Sequence, residues 1–207
     1  MTYRSYHDAT TRSSVLAAVR DTGDAAAWAR FFDLYAGFVF AIARSKGLTS
    51  EDADDIVQGV FSELAHKMPT FEYDRTKGKF RSYLLGLINW RILDKLKADK
   101  RESELNEDYC KKAKFAASVA AADFVEREWQ NAAYNEALRR LQAEARPDHF
   151  AAFVESTVEG IDTETVMRLH GMTRDNIYQV RARFTAKLKT LVATIRTEMD
   201  EGRFGLA

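Results

Sequence analysis

The chain has 207 residues, 46% of them hydrophobic, with 31 Lys+Arg balanced by 31 Asp+Glu, enough for one large or two small domains with a full core. One cysteine, Cys110, excludes an internal disulfide and a cysteine-cluster metal site, and His7, His66, His149 and His170 are scattered without ligand spacing. No run approaches the ~18–20 apolar residues of a membrane span, and the N-terminus lacks the apolar core of a signal peptide, so the expectation is a cytoplasmic protein without membrane insertion, metal or cofactor.

Few prolines and glycines, with much Ala, Leu, Arg, Lys and Glu, lean the chain toward helix. After a polar tail, Val15, Leu16 and Val19 suit a short helix. Asp24 is placed to cap a long helix running to about Lys46, with Trp28, Phe31, Phe32, Tyr35, Phe38, Val39 and Ile42 on a broad apolar face and Gly47 as its stop. Thr49-Ser50-Glu51-Asp52 reads as a capping box. The helix after it carries Ala53, Ile56, Val57, Val60, Phe61 and Leu64 on one stripe, leaving Asp55, Gln58 and Ser62 facing outward, and Pro69 closes it. Residues 71–79 are too polar and Gly-broken for regular structure. Phe80 to about Arg101 reads as a third long helix, with Tyr83, Leu84, Leu87, Ile88 and Leu96 apolar. Residues 102–122 read as a linker, and four helices follow at about 124–145, 148–159, 162–170 and 174–199. No strand-period alternation or internal repeat appears. The expected fold is all-α: two small helical domains, 12–101 and 123–199, joined by the linker 102–122.

The last two helices flank a three-residue turn at Gly171-Met172-Thr173, the pattern of a helix-turn-helix. On the second, Ile177, Val180, Phe184, Leu188 and Leu191 recur at three- and four-residue steps, one buried stripe. Asp175, Tyr178, Gln179 and Arg183 fall opposite, with the donors and acceptors that read base edges in a major groove. A hairpin with a merely solvated basic face is the competing reading. Charge distribution favours nucleic acid: residues 75–101 hold nine Lys/Arg against two Asp, and 168–196 hold seven against one Asp. Between them, residues 102–164 hold seven Lys/Arg against fourteen Asp/Glu. Local field, rather than net charge, steers a polyanion.

SEDADDIVQGVFSEL (50–64) resembles region 2.2 of the extracytoplasmic-function (ECF) sigma factors of the sigma-70 family. FEYDRTKGKFRSYLLGLINWRILDKLKADKR (71–101) resembles the part that follows, AAAWARFFDLY (25–35) is similar to the family's first conserved helix, and Asn176-Ile177-Tyr178-Gln179 with Arg181-Ala182-Arg183 resembles region 4. The resemblance spans about residues 12–195. It implies a non-enzymatic sigma subunit that binds core RNA polymerase, recognises promoter −10 and −35 elements and promotes transcription initiation. An anti-sigma factor is a common partner in the family, though no feature here identifies one.

The resemblance implies that Asp52, Asp55 and Gln58 face core polymerase. It implies −10 contacts from Tyr73, Arg75, Lys77 and Lys79, where a flipped base needs a shaped pocket, with Arg81, Arg91 and Lys95 extending the basic surface. The −35 set is Thr173, as the cap of the recognition helix, with Arg174, Asn176, Tyr178, Gln179, Arg181 and Arg183. Two departures stand out: Gly59 replaces a residue that is usually Glu, and Trp90 stands where Asn is common. The alternative function is a helix-turn-helix transcriptional regulator acting without polymerase. A helical adaptor is a second alternative, and predicts no salt-dependent nucleic-acid binding.

Overall fold

The computed structural model describes residues 19–20, 23–70, 79–102 and 122–200, the side chains of 98–102 excepted, and every regular element among them is helical. Their order is α1 (Ala25–Ser45), α2 (Ser50–Lys67), a 3₁₀ turn (Met68–Thr70), α3 (Phe80–Glu102), α4 (Ala122–Glu144), α5 (Pro147–Phe153) running into a π-helical turn (Val154–Val158), α6 (Thr163–His170) and α7 (Arg174–Asp200). The chain divides into two compact units, one of residues 1–128 with 197–207, the other of residues 129–196.

In the first unit α1, α2 and α3 share a core. Asp24 caps α1, its carboxylate accepting from the Ala27 N–H at 2.9 Å, which satisfies one of the donors a helix start leaves open. Gly47, at φ +81°, turns the chain out of the helix at the other end. Phe31, Leu34, Tyr35, Phe38, Val39 and Ile42 recur at helical spacing and are buried. By length and hydropathy α1 is also the one described helix apolar enough to cross a membrane, but this stripe supplies the unit's core, against α2 and α3. Phe31 sits at the centre of an aromatic cluster, with ring centroids 4.9 Å from Tyr35, 5.7 Å from Phe61 and 6.2 Å from Phe80. Phe32, expected on the same face, is 44% exposed, because at 100° per residue it lies on the stripe's edge and covers only one side of Phe61.

The expected α2 stripe (Ala53, Ile56, Val57, Val60, Phe61, Leu64) is wholly buried. At its start the Thr49 hydroxyl accepts from the Asp52 N–H at 3.1 Å and donates to the Asp52 carboxylate at 2.8 Å. On α3, Leu84, Leu87 and Ile88 are buried as expected, joined by Phe80 and Ile92; Tyr83 and Leu96 are only partly covered. The expected helix near Val15, the loop 71–78 and nearly all of the expected linker lie outside the described residues.

In the second unit α5, α6 and α7 surround a small core of Ala152, Val166 and Ile177, with Ile161, Met167 and Met172 packed against it. Pro147 starts α5, where its missing N–H costs nothing. The π-helical turn forms where the buried Ser156 hydroxyl donates to the Ala152 carbonyl at 2.6 Å, and Glu155 reaches His170 Nε2 on α6 at 2.8 Å.

Candidate nucleic-acid interface

Of the residues implied to face polymerase, Asp55 and Gln58 are exposed on the outer face of α2 and Asp52 is half-buried at its first turn. The structure brings both acids to Lys95 of α3, whose ammonium lies 3.0 Å from Asp52 and 3.2 Å from Asp55. Further along the same seam Arg91 donates to Glu63 at 2.9 Å. Partial burial pushes the Asp52 carboxyl up, but hydrogen bonds from Lys95 and Thr49 outweigh it and hold the group below the usual carboxylate range. The Asp52 hydrogen bond, against some burial, raises Lys95 above the usual lysine range. The Arg91 stem runs beside Gly59: a Cβ there would lie 3.6 Å from Arg91 Cδ, an ordinary van der Waals contact. The seam was invisible in the sequence, where each helix was read for its own face. It follows once α2 and α3 pack antiparallel on their apolar stripes, since the flanking positions then meet edge to edge.

Of the −10 set, Tyr73, Arg75 and Lys77 lie outside the described residues. Each of the others has a carboxylate partner: Lys79 with Asp200 at 2.7 Å, Arg81 with Glu126, Arg91 with Glu63 and Lys95 with the two aspartates. These are surface or half-buried pairs, worth about 0–1 kcal/mol each, so a phosphate can displace them. Tyr83 is partly buried with its ring 6.0 Å from that of Phe80, and burial pushes its phenol up. Its place is in packing, as expected. Sequence reasoning missed the open face of α3, where Ser82, Gly86, Trp90, Leu93 and Lys97 are exposed.

In the second unit Asp162 caps α6, accepting from the Thr165 N–H at 2.9 Å, and hydrogen bonds from the Thr165 side chain first and from its N–H second hold the Asp162 carboxyl below the usual range. Gly171 ends α6 in the left-handed region at φ +62°. The Met172 N–H donates back to Met167 at 3.2 Å, and the Thr173 hydroxyl accepts from the Asn176 N–H at 3.3 Å to start α7. Ile177, Val180, Phe184 and Leu188 are buried, Leu191 partly so. Arg174, Asn176, Tyr178 and Gln179 are exposed together on the first two turns of α7, and Arg181 is half-buried at the stripe's edge. Arg174 also reaches Glu164 at 3.3 Å. Arg183, further along, donates to His149 Nδ1 at 3.2 Å and lays its guanidinium 5.1 Å from the Phe184 ring centroid. With Lys187 it borders a depression of about 470 Å³ floored by Leu141, Ala145 and Phe184. Exposed amide, phenol and guanidinium groups at a capped helix start form a surface able to hydrogen-bond base edges and phosphates.

No curated protein matches the chain. Residues 31–102, which hold most of α1 and all of α2 and α3, match the family model of Sigma-70 region 2. This match, which covers less than half of the chain, supports a sigma factor role with core RNA polymerase and promoter DNA in transcription initiation.

Proposed function

We propose that the protein is an ECF-type sigma factor in which the α1–α3 domain docks core polymerase and engages the −10 element, while α6 and α7 form a helix-turn-helix that reads the −35 element. The observation that carries this reading is the Sigma-70 region 2 match across α1–α3. Two further features support it: an outward Asp55/Gln58 face on α2, and a capped helix pair in the second unit whose exposed residues are those the −35 reading names. Asp52, Asp55 and Gln58 contact polymerase. Arg174 and Arg181 hold phosphates, and Asn176, Tyr178, Gln179 and Arg183 approach base edges. The protein performs no chemistry of its own and works in the cytoplasm, polymerase forming the bonds. A gel shift separates this from a regulator acting alone. The chain with core polymerase binds selected promoter duplexes tightly, whereas the chain alone binds weakly and with little sequence preference. Tight, specific binding by the chain alone would reject the sigma reading.

A further inference from the structure

Arg183 is held from two sides. Its Nη2 donates to Nδ1 of His149 at 3.2 Å, and its guanidinium carbon lies 5.1 Å from the ring centroid of the buried Phe184. His149 reaches it from α5, half-buried where Arg183 is exposed. The other charged groups around the imidazole are engaged elsewhere. Asp148 accepts from Arg146 at 2.7 Å and from the His149 N–H at 3.0 Å, and Glu144 of α4 pairs with Lys187 of α7. Leu141, Ala145 and Phe184 make up the apolar part of the depression. Among the described residues Arg183 therefore meets an uncharged nitrogen and no carboxylate. An arginine held by a carboxylate is neutralised; one held by an imidazole is oriented and keeps its charge.

We propose that His149 is a positioning residue for promoter readout: its neutral ring fixes the Arg183 guanidinium so that the remaining N–H donors meet a guanine. A guanidinium only donates, so Nδ1 must accept, which places the imidazole proton on Nε2. One of the five N–H donors is used, leaving enough for a bidentate contact with O6 and N7 of a guanine. A free arginine side chain loses as much rotamer freedom as any when it is ordered. One oriented before the duplex arrives loses less, and the difference appears as affinity for the right base. The arrangement holds only while the ring is neutral. A second proton removes the Nδ1 lone pair and sets two cations side by side. Imidazoles change charge between about pH 5 and 8, where carboxylates, ammonium groups and guanidinium groups hold theirs. Of the groups around the depression, the ring is thus the one that switches. The inference rests on the −35 role proposed for Arg183 and deepens it with a residue outside the matched segment 31–102.

The test uses the full chain with core RNA polymerase, on duplexes selected by the wild-type assembly and on copies with each −35 guanine replaced. Arg183→Ala first marks the guanine whose replacement ceases to matter. His149→Ala then lowers the preference for that guanine about 2- to 10-fold, the usual net worth of one hydrogen bond, and leaves other positions unchanged. Acidification from about pH 8 to about pH 5.5 lowers the wild-type preference by a similar factor. His149→Asn, whose amide oxygen can accept where Nδ1 does and never titrates, keeps the preference at both pH values. Thermal melting checks folding, and should His149→Ala not fold, the Asn variant and the pH series decide. A wild-type preference in His149→Ala overturns the proposal, as does a wild-type preference indifferent to pH. An Asn variant that behaves like Ala, or loses its preference on acidification as wild type does, overturns it too. So does equal weakening of all sequences by Arg183→Ala, which leaves Arg183 no base to be aimed at. Each of these leaves the sigma reading standing, whereas a wild-type assembly that selects no promoter sinks that reading and this one with it.

Discussion

Gly59 is the residue where propensity and packing give the sharpest prediction. It lies inside α2, where Gly costs about 1 kcal/mol relative to Ala, and a Cβ would meet Arg91 Cδ at 3.6 Å, an ordinary contact. Gly59→Ala therefore raises stability by about 0.5–1 kcal/mol, read as a higher urea midpoint; a lower midpoint would show that Arg91 cannot share the space. The Asp52–Lys95 pair predicts a pH dependence. Asp52 is held low, so its contribution is complete above the ordinary carboxylate range and fades as pH falls through the lowered value. Lys95 is held high, so its contribution lasts through the ordinary lysine range and fades as pH rises through the raised value. The stability difference between wild type and Lys95→Ala should be a plateau across neutral pH, below about 1 kcal/mol for groups this exposed, shrinking at both extremes. A difference that grows on acidification would contradict the pairing. Arg183→Ala costs about 1–3 kcal/mol at promoters where Arg183 reads a guanine; equal weakening across all sequences makes it a phosphate anchor.

Elements were legible where one local rule fixed them. Asp24, Thr49 and Thr173 are short oxygen-bearing residues ahead of apolar periodicity, and all three cap the helix they precede. Gly171 was readable as the first residue of the turn between the last two helices, and it takes φ +62°, which only a residue without a Cβ adopts freely. Gly171→Ala accordingly destabilises the second unit by about 1–2 kcal/mol, seen as a lower thermal midpoint; if α7 reads the −35 element as proposed, binding there weakens too. The α2–α3 seam and the exposure of Trp90 were not legible. Each depends on which edge of one helix meets which edge of another, and periodicity within one helix is silent on that. The helical moment of α3 is blurred for the same reason: buried Leu84, Leu87, Ile88 and Ile92 share the helix with an exposed tryptophan and leucine.

At the scale of the whole molecule, composition had suggested neutrality, while the sequence separates two basic blocks with an acidic stretch. The structure adds that acids and cations of the first block's helices also pair with each other, so Asp52 and Asp55 hold Lys95 when no partner is bound. If the outward face of α2 is the polymerase contact, Asp55→Ala with Gln58→Ala weakens association with core polymerase at least tenfold and leaves the helical content of the chain unchanged. Run-off transcription is the most direct test of the central claim: purified chain and core polymerase are mixed with fragments of genomic DNA and the RNAs are sequenced. A sigma factor yields discrete transcripts from a limited set of start sites that share two spaced sequence elements and are absent with core polymerase alone. RNA no different from that of core polymerase alone would contradict the assignment.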